Sequence, residues 1–147
     1  MNEDQDKAQD VWRDILEVHG RVVARLDGQM RRAHGIPLEW FHMMAALGEA
    51  TDGRLRMFEL AERTMFSRTN CTRLVDRMET KGLVTREPSP GDRRGVSAVL
   101  TPEGRSILQS ATPTYETGVS AQFASFVQED ELDVLSKVFE RVVAIVR

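Results

Sequence analysis

Between Ser67 and Leu100 the hydrophobic period of the chain changes, and that change restricts the fold more than any other feature. Cys71, Leu74, Val75 and Met78 repeat at i, i+3, i+4, i+7, the spacing of one buried helix face. Ser67 is suited to cap that helix. Lys81-Gly82 is suited to stop it, with a cation in the last turn and then a glycine. The pattern then turns extended, near residues 83–87 and 95–100, where Val96, Ala98 and Leu100 alternate. Pro88, Pro90 and Gly91 separate the two runs, so they read as a hairpin with Asp92-Arg93-Arg94 at its tip. A helix followed at once by a small hairpin leaves few architectures open.

The flanking segments read as helices. Residues 6–33 carry apolar positions at Ala8, Val11, Trp12, Ile15, Val18, Val22, Leu26, Met30 and Ala33, and Gly35-Ile36-Pro37 ends the run. Leu38, Phe41, Met44, Ala45 and Leu47 mark a second helix that stops near Gly53, a residue able to take a left-handed turn. "RLRMFELAERT" reads as a short extended piece and then a short helix, with Glu59 in its first turn. Thr101 caps a helix with Pro102 at its first position. That helix is expected to reach about residue 127, with Pro113 as a place to kink. "QEDEL" opens a last helix with Leu132, Leu135, Val138, Phe139, Val142 and Val146 on one face. The expected fold is mainly α with a small β-hairpin wing: a winged helix-turn-helix. The terminal helices hold more apolar surface than so small a lobe needs, so both chain ends are expected to form a dimerisation layer, with a monomeric bundle as the alternative.

Charge is distributed unevenly. The net charge of the 147 residues is −3, which by itself argues against nucleic acid. Residues 54–105, however, hold eleven Lys/Arg against seven Asp/Glu, and the rest of the chain holds nine against sixteen. The middle is therefore basic and the ends acidic, and phosphate neutralisation depends on the local patch. With the apolar stripe turned inward, Ser67, Arg68, Thr69, Asn70, Thr72, Arg73 and Arg77 are left toward solvent. These side chains suit base edges and phosphates, and they gather at a helix start, where a recognition helix needs them. A plain solvated helix face is the competing reading. Arg93 and Arg94 at a hairpin tip suit the narrow, negative minor groove. Asp92 suits an ion pair that fixes an arginine, with Arg93, Arg94 or a basic residue of the helix as candidates.

The block "ELAERTMFSRTNCTRLVDRMETKGLVTREPSPGDRRGVSAVLTPEGR", with "HGIPLEWFHMMAAL" before it and "EDELDVLSKVFERV" after it, resembles the multiple antibiotic resistance regulator (MarR) family of bacterial transcription factors. The resemblance covers nearly the whole chain. It implies a single domain over 1–147, with dimerisation helices at 6–35 and 102–147 and a winged helix-turn-helix lobe at 36–101. It also implies a homodimer on double-stranded DNA at a pseudo-palindromic site, most often as a repressor. Ser67 to Arg77 then fall on the recognition helix, and Asp92, Arg93 and Arg94 on the wing. Release by a small aromatic or phenolic effector is a family expectation, and Trp12, His19, Trp40, His42 and Met43 are the candidate pocket residues. The sequence departs from the family at Arg56, where a Ser or Thr cap is common, and at Cys71, where an aliphatic residue is common. A protein-interaction module without DNA, or an activator without ligand response, remains an alternative.

Other chemistries find little support. No H-E-x-x-H, C-x-x-C or His pair at i, i+4 suggests a metal, and no nucleophile–base spacing suggests an enzyme. No cofactor is expected. The single cysteine, Cys71, lies in the apolar stripe and reads as a small core residue rather than a thiol sensor. One cysteine and a polar N-terminus, without a membrane-length apolar run, lead to the expectation of a cytoplasmic protein with no membrane partner.

Overall fold

The computed structural model describes residues 3–147. Its elements are α1 (Glu3–His34), α2 (Leu38–Glu49), a 3-10 turn (Thr51–Gly53), β1 (Arg54–Arg56), α3 (Met57–Thr64) and α4 (Arg68–Thr80). There follow β2 (Val84–Ser89), β3 (Asp92–Leu100), α5 (Pro102–Gln122), a second 3-10 turn (Ala124–Phe126) and α6 (Glu129–Val146). The chain divides into two compact units, Val23–Tyr115 and the two chain ends, up to Val22 and from Glu116.

Among the described residues, every buried apolar side chain belongs to Val23–Tyr115. α4 contributes its stripe of Cys71, Leu74, Val75 and Met78, and α2 contributes Leu38, Phe41, Met43, Met44 and Leu47. Each such side chain, fully buried, stabilises the lobe by about 1.5–3 kcal/mol relative to exposure. The N-terminus of α2 follows Pro37 and has no side-chain cap of its own; Asp27 of α1 supplies one, its Oδ1 accepting the Leu38 N–H at 2.9 Å. α4 ends as its sequence suggests: Gly82 takes φ +74°, and the N–H groups of Gly82 and Leu83 return to the carbonyls of Glu79 and Met78.

The wing is wider than a hairpin. The extended piece before α3 is a third strand, and the antiparallel sheet has the order β1-β3-β2. Val99 is paired with Arg54 on one side and Thr85 on the other. The register slips between Pro88 and Ser89, where a proline interrupts the ladder. Ser89 and Ser97 are buried in the wing, and their hydroxyls satisfy each other at 2.9 Å. Gly95 is held to a hydrogen side chain by close approach, since a Cβ there would lie 2.9 Å from Ser89 Oγ. At the start of α5, Thr101 Oγ1 accepts the Gly104 N–H and donates to the Gly82 carbonyl. A Cβ on Gly104 would collide with the Leu83 carbonyl oxygen, so this junction also requires glycine.

α5 passes through Pro113 but ends at Gln122, short of the expected residue 127. Phe123 leaves the helical region at φ −138°, and the Phe126 N–H turns back to the Phe123 carbonyl, which tightens the chain into a 3-10 turn. α6 opens on the Gln128 N–H, which donates to Glu131 Oε2 at 2.9 Å. None of the residues of α6 is buried, although Leu132, Val134, Phe139, Val142 and Val143 are all large and apolar. Among the described residues no helix is long and apolar enough to cross a membrane.

Candidate nucleic-acid interface

α4 is built so that its burial dictates its exposure. Ser67 Oγ accepts the Asn70 N–H at 3.1 Å and fixes the first turn. The stripe faces the core, which leaves Arg68, Thr69, Thr72, Arg73 and Arg77 exposed and Asn70 half-buried. Arg73 Nη2 donates to Asn70 Oδ1 at 2.6 Å, and Thr72 Oγ1 donates to the Arg68 carbonyl at 3.0 Å. The Arg73 fork is thus oriented by its own helix with most of its donors unused.

At the wing tip Gly91 takes φ +74°, and both Arg93 and Arg94 are exposed. Among the described residues neither forms an ion pair. Asp92 has a different partner from those expected: its Oδ2 lies 3.5 Å from Arg56 Nη1, and its Oδ1 accepts the backbone N–H of Arg94 at 3.0 Å. The reason is the third strand. Pairing of β1 with β3 sets Arg56 opposite Ser97, on the wing rather than on a separate helix. Asp92 therefore shapes the tip turn through a main-chain bond while Arg56 offsets its charge. A groove of about 430 Å³ runs between wing and helices, lined by Arg56, Arg68, Thr72 and Arg94 with Phe58 and Val96 as its apolar wall.

Two residues of this region make contacts that the sequence does not assign to them. Arg56 is one. The other is Arg86 of β2, which reaches three residues of α4: Asp76, Glu79 and the Thr72 carbonyl. A strand's neighbours are non-local, so neither contact has a signature in local spacing.

A solved structure decides the family. AbsC, a MarR family transcriptional regulator from Streptomyces coelicolor, is 30% identical to the chain with a TM-score of 0.90, over 97% of this chain and 95% of AbsC. The chain belongs to the MarR family. The MarR family sequence model itself matches residues 34–95. Sco3205, a MarR family regulator from the same organism solved in complex with DNA, is 32% identical with a TM-score of 0.87, over 95% of this chain and 86% of Sco3205. Among curated proteins, the transcriptional repressor YetL of Bacillus subtilis is 31% identical over 104 residues, 69% of this chain and 62% of YetL. The chain spans about three-fifths of the length of the curated relatives it matches. All three of these relatives are transcriptional regulators.

Within this MarR chain the candidate effector residues are divided. Trp12 and His19 are exposed and belong to the terminal unit; Trp40, His42 and Met43 belong to the other. Met43 has no exposed surface and is a core side chain. The half-buried His42 ring stands edge-on to Tyr115 at 5.6 Å and to Phe41 at 5.9 Å, and burial pushes its pKa down, which favours the neutral ring. Cys71 is buried, and burial pushes its thiol pKa up despite the opposing charge of Arg86. A raised pKa keeps the thiol protonated and poorly nucleophilic. Among the described residues no three His, Cys, Asp or Glu side chains gather as a metal site.

Proposed function

We propose that the protein is a sequence-specific DNA-binding transcriptional regulator that acts as a homodimeric repressor on a pseudo-palindromic site. The observation that carries this reading is the exposed face of α4, where, among the described residues, Arg73 and Arg77 form no ion pair, and neither do the exposed Arg93 and Arg94 of the wing. The first turns of such a helix, from Arg68 to Arg73, suit the major groove, and such a tip the backbone or minor groove. The likeness to Sco3205, solved with DNA, supports the same use, and the likeness to YetL supports repression. The dimer is supported by α6, whose apolar side chains lie open along a helix with no buried residue. A small aromatic or phenolic effector belongs to the reading through the family resemblance.

Selection of bound duplexes from a random pool, followed by fluorescence-anisotropy titration, tests the proposal. A palindromic consensus bound well above random duplex is the expected outcome. No binding even at low salt would leave a protein-interaction module. Repeating the titration with a panel of aromatic acids tests the effector.

A further inference from the structure

One side chain ties α4 to the wing. Arg86 of β2 sets its Nη2 2.6 Å from Asp76 Oδ1 and 3.2 Å from the Thr72 carbonyl, and its Nη1 3.2 Å from Glu79 Oε1. The other Glu79 oxygen accepts the Arg86 backbone N–H at 2.9 Å. Thr72, Asp76 and Glu79 follow i, i+4, i+7 and so form one row along α4. Arg73 and Arg77, one position on from Thr72 and Asp76, form the adjacent row that the proposed function gives to DNA. Arg86 thus grips the helix over two turns with a planar fork, a geometry lysine cannot reproduce. Its side chain is only 25% exposed, less than either carboxylate partner. A guanidinium so enclosed and so committed has little left to offer a phosphate.

We infer that Arg86 is a positioning residue rather than a DNA contact: it fixes the angle between α4 and the wing, so that helix and wing tip engage one duplex together. The inference rests on the DNA-binding reading above. It also gives Asp76 and Glu79 a purpose. Two carboxylates on a helix that approaches phosphates repel them, and simple electrostatics therefore has their removal tighten binding. The strut requires the opposite, because each carboxylate holds one arm of the fork.

The full-length chain and its Glu79→Gln, Asp76→Asn, Arg86→Gln and Arg86→Lys variants are titrated by anisotropy against the selected duplex and a random duplex over a range of salt. Glu79→Gln, Asp76→Asn and Arg86→Gln are expected to weaken binding to the selected duplex about tenfold, comparable to a lost bidentate base contact. Binding to random duplex should change far less, which also shows that the variants are folded. The salt slope of Arg86→Gln should equal that of the wild type, and Arg86→Lys should recover part of the loss. A fall in that slope by about 2, one contact of about 0.9 from each protomer, together with tighter binding by the carboxylate variants, would make Arg86 a phosphate contact and overturn the inference. Equal losses on both duplexes would overturn it too, as a general loss of stability. If Arg86→Gln does not fold, the two carboxylate variants carry the test. A wild type that binds neither duplex removes the DNA-binding reading and the strut together; a wild type that binds while the variants behave in reverse removes the strut alone.

Discussion

Arg73 commits one nitrogen to Asn70, which leaves the rest of its fork for a base edge. On the proposed function, Arg73→Ala should cost about 1–3 kcal/mol on the selected duplex and relax preference at one position of each half-site. Quantitative selection with the variant reads both effects. Arg94 acts differently, because a tip arginine meets backbone and minor groove. Arg94→Ala should weaken binding to many sequences and lower the salt slope by about 1–2, since each phosphate contact contributes about 0.9 and a dimer loses two. Affinity and slope unchanged in both Arg93→Ala and Arg94→Ala would mean that the wing does not touch DNA. Cys71 is the residue whose chemistry is silenced by its place. Valine is close to it in size, so Cys71→Val should hold stability and DNA affinity within about 1 kcal/mol. Peroxide should weaken DNA binding equally in wild type and variant. A peroxide response present only in the wild type would make the thiol a sensor.

The start of α2 depends on a side chain from another helix. Burial works to raise the Asp27 pKa, but the Leu38 N–H and the Arg31 guanidinium outweigh it and hold the carboxyl below its ordinary 3.8. A folded-state pKa below the unfolded one gives stability that is present above the unfolded value and is lost as pH falls through the folded one. Asp27→Ala should therefore cost about 1 kcal/mol near neutral pH, as other cap deletions do. The deficit should begin to shrink below about pH 4, where the unfolded carboxyl takes up its proton, and shrink further as pH falls through the lowered folded-state value, where the native carboxyl is protonated as well. Urea unfolding of both proteins across that range measures the difference; a deficit independent of pH would mean that the carboxylate charge plays no part. This cap lies eleven residues from its target, and nothing in the spacing around Pro37 reveals it. The contrast with α4 is instructive. Its cap at Ser67, its stripe and its stop at Gly82 are each set by neighbours within a few residues, so the sequence displays them. β1 spans three residues, too short for a period, and its partner lies more than forty positions away. The same non-local pairing hid Arg56 beside Asp92 and Arg86 against α4. The exposed side chains of α4 were legible for the converse reason: they are what a buried stripe leaves over. α5 misled because Phe123, Phe126 and Val127 keep a helical spacing while the backbone tightens after Gln122.

At the scale of the whole molecule the apolar surface is as unevenly shared as the charge. Trp12 is 59% exposed and Phe126 78%, and both lie in the terminal unit, where among the described residues no apolar side chain is buried. Monomers rarely leave so much apolar area open, so sedimentation at micromolar concentration should give a homodimer. A species of 16.6 kDa under those conditions would contradict it. A core confined to Val23–Tyr115 has a thermal consequence as well. That lobe carries its own packing and should melt at a temperature set by its sequence alone. The chain ends, with no buried apolar side chain among the described residues, depend on association to cover their apolar faces, so their transition should obey mass action and move with protein concentration. Two calorimetric events are then expected on dilution, one stationary and one drifting downward. For the ends of this chain, dilution should then act as a denaturant does: an adjustable variable that decides how much of the molecule is ordered.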